Sequence, residues 1–167
     1  DHPLQGLADL LTIRQLCGRI EGVKVAYVGD GDNNVARSLA QGCAALGAEL
    51  TIIAPEGYQL SDAPDGVVQT ADPDAVAGAD VIYSDVFVSM GQDSETERRM
   101  ADLAAYQVNE ALMARAPDAW FLHCLPARRG EEVTAGVIDG PKSAIWRQAE
   151  NRMHTARGAL MWLLQQD

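Results

Sequence analysis

Apolar residues Leu4, Leu7, Leu10, Leu11 and Ile13 recur along one helix face and stop at Gly18, which predicts a helix over residues 4 to 17. The β-branched run Val23 to Val28 then reads as a buried strand ending at Gly29. Asn33 and Asn34 follow as helix caps, residues 35 to 46 as a helix stopped by Gly47, and Leu50 to Ala54 as a second strand. Strand, helix and strand in so short a stretch form a βαβ unit, which implies a parallel sheet. Beyond a loop at residues 55 to 66, the pattern gives strands at 67–70, 80–83 and 119–123, with a helical turn at 74–77. It gives helices near 109–115, 131–138 and 149–165, and reads residues 84 to 97 as an exposed loop. The chain is thus expected to be one α/β domain with a doubly wound, mostly parallel, Rossmann-like sheet and helices on both faces.

Composition narrows the function classes. Of 167 residues, 24 are acidic and 13 basic, and the net charge of -11 repels nucleic-acid backbones and anionic lipid. No apolar run approaches a membrane span and no signal-peptide pattern opens the chain, so neither a nucleic acid nor a membrane is expected as a partner. Cys17, Cys43 and Cys124 are widely spaced without a CxxC pair, which suggests reduced thiols in a cytoplasmic protein and neither a disulfide framework nor a metal site. The start at Asp1, without Met, reads as that of a fragment.

In a doubly wound sheet the ligand site lies beyond the carboxyl ends of the strands, which selects three loops. The turn Gly29-Asp30-Gly31-Asp32-Asn33-Asn34 occupies the place of a dinucleotide fingerprint, but Asn34 replaces its third Gly, and Asp30 and Asp32 would oppose a pyrophosphate. Asn side chains there suit an amino-acid carboxylate, or serve only as caps. In the second loop, Asp85 and Ser89 can accept hydrogen bonds from an ammonium group, or be merely solvated. At the third strand end, His123 and Cys124 should point to opposite faces, which disfavours a nucleophile and base pair. Carbonyls freed near Leu125-Pro126 could accept from an amine while His123 donates to an oxyanion, or the Cys and His could simply be buried. Arg152 offers a guanidinium for phosphate, or a surface pair with Glu150. The charged run from Ser94 to Arg99 reads as a solvated face.

Taken together, His2-Pro3-Leu4-Gln5, the GDGDNN turn, Asp85 with Ser89-Met90-Gly91, His123-Cys124-Leu125-Pro126 and Glu150-Asn151-Arg152 stand in the order and spacing of the ornithine carbamoyltransferases. The chain resembles, over residues 1–167, the C-terminal, ornithine-binding half of those enzymes. Its Ser-Met-Gly loop resembles the ornithine-specific members more than those acting on aspartate or putrescine. The resemblance implies an enzyme of arginine biosynthesis that joins carbamoyl phosphate and L-ornithine into citrulline and phosphate without a cofactor, in a trimer-based homo-oligomer.

By matching position it implies that Asn34, with Asn33 as the second candidate, holds the ornithine carboxylate, and that Asp85, Ser89 and Met90 bind the amino-acid head. Cys124, Asp85, His123 and Arg152 would be the catalytic set, with the Leu125 carbonyl near the δ-amine. His2, Pro3, Leu4, Gln5, Cys124, Leu125 and Arg152 would face carbamoyl phosphate. Leu125-Pro126 is expected to be cis. The family's N-terminal carbamoyl-phosphate domain has no counterpart before Asp1, so little turnover is expected of the chain alone, and Leu160, Trp162 and Leu163 should lie uncovered. Residues 55 to 72 depart from the family in looking short, because the resemblance implies an additional helix before the strand at Val67 for which this sequence leaves little room. Two other classes stay open: a non-catalytic amino-acid-binding module and a nicotinamide-dependent oxidoreductase domain.

Overall fold

The computed structural model describes residues 1–89 and 93–165. Five parallel strands, β1 (Lys24–Val28), β2 (Glu49–Ile53), β3 (Val68–Thr70), β4 (Val81–Ser84) and β5 (Trp120–His123), lie in the order β3-β2-β1-β4-β5. The chain winds outward from β1 to β2 and β3, then crosses back to β4 and β5. The order therefore reverses between β1 and β4, and a crevice opens there at the carboxyl edge. Register sharpens this: Val28 lies beside Ser84, and Ser84 beside His123. Gly29, Asp85 and Cys124, each the next residue along, leave three neighbouring strands at one level.

β-Branched and aromatic strand residues bury both faces, as a parallel sheet requires. Tyr27, Tyr83, Ile52, Ile82 and Phe121 are inaccessible to solvent, and the Tyr27 and Tyr83 rings stack at 5.3 Å. Helix α1 (Pro3–Cys17) begins with Pro at its first position and packs against both α2 (Asn34–Leu46) and α6 (Ile145–Leu163). The shorter helices are α3 (Thr96–Leu103), α4 (Glu110–Met113) and α5 (Ala135–Ile138).

Three expectations change. Residues 96 to 103 form α3 instead of prolonging a loop, and the run read as a solvated face carries a buried Arg99. The last helix starts at Ile145, four residues early, so Arg152 sits in its interior rather than near its start. The helix expected near 131–138 contracts to Ala135–Ile138. As the short stretch at residues 55–72 suggested, no helix lies between β2 and β3. There Tyr58 and Leu60 plug into the core, and the Leu60 backbone exchanges hydrogen bonds with the Gln69 side chain at 2.8 and 3.1 Å. The short segment thereby keeps β3 paired to β2.

The exposed end of α6 is as expected: Leu160, Trp162 and Leu163 are each about 60% exposed. No helix of the described residues is long and apolar enough to cross a membrane.

Candidate functional site

The turn after β1 is held from beneath. Asn33 caps α2, its Oδ1 accepting from Val35 and Ala36 N–H at 2.9 Å, while its Nδ2 donates to the Tyr27 hydroxyl at 3.0 Å and the Asp30 carbonyl at 2.9 Å. Four bonds saturate that amide. Asn34, one residue on, is exposed, and no hydrogen bond to its side chain is found among the described residues. Of the two candidates, only Asn34 has an amide to offer. The Gly31 N–H, which would face a pyrophosphate, instead donates to the Tyr58 carbonyl at 2.8 Å. A Cβ at Gly31 would lie 2.5 Å from an Ile52 methyl, so the turn is packed down on the sheet. With its amides spent in this way, the turn lacks the phosphate cradle of a dinucleotide fold.

The two carboxylates of this turn are compensated. Asp32 pairs with Arg37 at 3.3 Å and Asp30 forms a buried ion pair with Arg99. Burial nevertheless raises the Asp30 pKa, against the opposing pull of Arg99.

After β4, Asp85 is buried, with Oδ1 accepting from its neighbour Val86 N–H at 2.8 Å and from the Cys124 thiol at 3.0 Å. Burial, and then the Asp85 charge, push the Cys124 thiol far above its ordinary range. It therefore stays protonated and acts as a donor rather than a nucleophile. Ser89 lies half-buried in the same loop, and Met90 lies outside the described residues.

At the end of β5 His123 and Cys124 form no pair, the thiol turning to Asp85 and the imidazole to Leu125 and Glu132, but they are less far apart than strand alternation implies. Asp85, His123 and Cys124 bring ligand-type atoms within 4.8 Å of one another, a convergence of His, Cys and carboxylate that their sequence spacing did not announce. Alternation holds only inside a strand, and here the chain leaves it through Leu125 at φ 59° and a cis bond to Pro126. The pairing of His123 and Cys124 as base and nucleophile is opposed by geometry, since Nδ1 accepts the Leu125 N–H and Sγ donates to Asp85, and by the thiol's raised pKa.

His123 also sits differently from the donor that the sequence suggested. It is 1% exposed, its Nδ1 accepts the Leu125 N–H at 2.9 Å, and its Nε2 faces the buried Glu132 carboxylate at 3.2 Å. With Nδ1 accepting, a neutral imidazole carries its proton on Nε2, which lies beside Glu132 without an aligned hydrogen bond. The imidazole orients the Cys124-Leu125-Pro126 turn from behind and does not reach into the crevice. No hydrogen bond to the Leu125 carbonyl is found among the described residues.

α1 and α6 supply the remaining groups. Arg152 is partly buried, and its Nη1 is enclosed without a hydrogen-bond partner. His2, ahead of α1, has its pKa lowered first by burial and then by Arg152, with Asp85 opposing, so all three share one electrostatic neighbourhood. Its backbone N–H donates to Ser38 at 2.7 Å. Pro3 and Leu4 are on the surface, whereas Gln5 is buried and donates to Asp9 at 2.7 Å, which turns its amide nitrogen inward. Asp9 also accepts from Gln148 at 2.7 Å and from the Tyr83 hydroxyl at 3.2 Å. Gln148 in turn accepts the His123 N–H at 2.9 Å. Burial pushes the Asp9 carboxyl up to about 7, despite these donors.

Sequence reasoning passed over Asp9, Gln148, Glu132 and Arg99. Only Glu132 carried a signal, standing in an acidic pair just after the His-Cys-Leu-Pro motif.

A family model described as aspartate/ornithine carbamoyltransferase, Asp/Orn binding domain, matches residues 21–164. The chain belongs to this carbamoyltransferase family. The ornithine carbamoyltransferase of Bacillus subtilis (strain 168) is 53% identical over 177 residues, covering 98% of this chain and 55% of the relative. That stretch is longer than the chain itself, so the relative carries extra residues within it. The solved structure of ornithine carbamoyltransferase from Pyrococcus furiosus superposes with a TM-score of 0.87 at 47% identity, covering 96% of this chain and 55% of that one. That from Thermus thermophilus gives 0.86 at 41% identity, with 98% and 56% covered. The chain spans about half the length of the carbamoyltransferases it matches. The crevice between β1 and β4 and the end of β5 both lie within the residues that the family model matches.

Proposed function

We propose that this chain is the ornithine-binding domain of an ornithine carbamoyltransferase, and that residues 1–167 form half of the working enzyme. The observation that carries this reading is the arrival of Asp85, Cys124 and the β1 turn at one level of the sheet edge, with a spare amide on Asn34 in that turn and an unpartnered Arg152 nitrogen that shares an electrostatic neighbourhood with His2 and Asp85. The head of L-ornithine is a zwitterion. Asn34 donates to its carboxylate while Asp85, with Ser89 and Met90, receives its ammonium.

The side chain then extends along Cys124 toward the Leu125 carbonyl, which accepts from the δ-amine. The neutral δ-nitrogen attacks the carbamoyl carbon of carbamoyl phosphate. A C–N bond forms, the C–O bond to phosphate breaks, and the proton lost by the nitrogen goes to the departing phosphate, giving citrulline. Arg152 and His2 face the anionic co-substrate, with Pro3, Leu4 and Gln5 shaping the entry to α1. Glu132 and His123 hold the Leu125 turn in place. Most of the charge needed to bind carbamoyl phosphate comes from the half of the enzyme outside these residues, because -11 is a poor background for a phosphate ester. A cytoplasmic location, a trimer-based homo-oligomer and a role in arginine biosynthesis belong to the same proposal.

Two assays test it. The chain should bind L-ornithine in preference to L-aspartate and putrescine, and should form little citrulline from carbamoyl phosphate unless the other domain is supplied. Equal affinity for L-aspartate would overturn the substrate assignment. Ornithine binding without citrulline formation, even with the other domain present, would favour a non-catalytic amino-acid-binding module.

A further inference from the structure

Strand pairing ends at Val28 and Ser84, where the Ser84 hydroxyl donates to the Val28 carbonyl at 3.0 Å, and the backbone ladder does not extend to the loop after β4 or the turn after β1. One buried side chain spans the gap. Arg99, on α3, donates from Nε to the Phe87 carbonyl at 2.8 Å and from Nη2 to the Asp30 carboxylate, and its guanidinium lies 5.0 Å from the centre of the Tyr58 ring. Tyr58 accepts the Gly31 N–H through its carbonyl, and donates through its hydroxyl to Asp102, three residues beyond Arg99 on the same helix, at 2.8 Å. Phe87 meanwhile lies flush against Gly29, where a Cβ would come within 2.9 Å of its ring.

We propose that Arg99 is a positioning residue for the amino-acid pocket, latching the loop that carries Asp85 to the turn that carries Asn34. Asp85 stands two residues before Phe87 and Asn34 four after Asp30, so the spacing between the two groups that would grip a zwitterion is set by the two ends of one guanidinium. A planar fork holds a backbone carbonyl and a carboxylate in different directions at once; a single ammonium holds both only loosely. The proposal rests on the ornithine reading of the pocket. It adds that the pocket's dimensions are fixed from α3, an element that contributes no group to the substrate.

The test must separate a latch from a generic buried ion pair. In Arg99→Met/Asp30→Asn both charges are removed together, so no buried charge is stranded and the fold is retained. Arg99→Lys retains the charge without the fork. The Val86 amide, bonded to Asp85, reports on the loop by hydrogen exchange, and the amides of Ile52 and Ile82 report on the sheet. Both variants should speed exchange at Val86 by about ten-fold or more with the sheet amides unchanged, and should weaken L-ornithine binding by about ten-fold.

An unchanged Val86 amide, or a uniform rise across sheet and loop, overturns the latch. Faster exchange at Val86 with unaltered ornithine affinity overturns the positioning role and leaves the pocket assignment intact. A parent chain that binds no ornithine defeats the substrate reading, and the Val86 amide alone then decides for or against the latch.

Discussion

Asp30 and Asp9 are both buried carboxylates, and they are housed in opposite ways. Asp30 faces a guanidinium, whereas Asp9 meets only neutral donors, from Gln5, Gln148 and Tyr83. Both pKa values are raised because burial dominates each, but Asp9, with no cation in contact, reaches about 7. A paired charge becomes a rigid strut between loops. A carboxyl held by dipoles becomes a titrating group, and this one lies beneath α1 and the β5 end, linked through Gln148 to the His123 backbone.

The sharpest way to break this comparison is to remove the cation alone. Arg99→Met leaves Asp30 buried without its partner and should destabilise the fold by about 3–5 kcal/mol in denaturant titrations near neutral pH. The double variant Arg99→Met/Asp30→Asn should recover most of that loss. If the single variant is as stable as the parent, Asp30 is not a committed charge.

The pH dependence of Asp9 comes next. The folded state holds a proton on Asp9 that the unfolded chain releases near its ordinary pKa of 3.8, so stability is greatest below that value and falls as pH rises toward about 7. The loss amounts to something on the order of 4 kcal/mol between those limits, at 1.36 kcal/mol per unit. Asp30 adds in the same direction. Asp9→Asn should flatten Asp9's share of the slope, and the comparison is the difference between the parent and variant stability curves from pH 4 to 8. Parallel curves would mean that Asp9 stays ionised in the fold.

The smallest effect separates the two asparagines. Asn33→Ala removes the α2 cap and should cost about 1 kcal/mol of thermal stability, whereas Asn34→Ala should leave the melting temperature almost unmoved and weaken ornithine binding. The reverse pattern would exchange their roles.

What the sequence disclosed follows from the same physics. The strands were legible because each is a short apolar run bounded by Gly or Asp, and the crevice followed from their order. The cis Leu125-Pro126 bond was expected from the family and is present. α3 was not legible, because its eight residues Thr-Glu-Arg-Arg-Met-Ala-Asp-Leu bury Arg99 and Leu103, and a buried Arg counts as polar in any apolar pattern. The Asp9 network was equally hidden, since Asp9 and Gln148 lie 139 residues apart and meet only once α1 and α6 pack together. His123 was read as facing a ligand because a strand end offers it solvent; Glu132, nine residues on, draws it inward.

The central claim is that Asp85 grips an ornithine ammonium at this sheet edge, and calorimetric titration of L-ornithine into the parent chain and into Asp85→Asn tests it most directly. Asp85→Asn keeps the shape and removes the charge, so affinity should fall by about 10- to 150-fold, the value of a charge-assisted hydrogen bond of roughly 1.5–3 kcal/mol. Equal affinity in the two proteins would contradict the account.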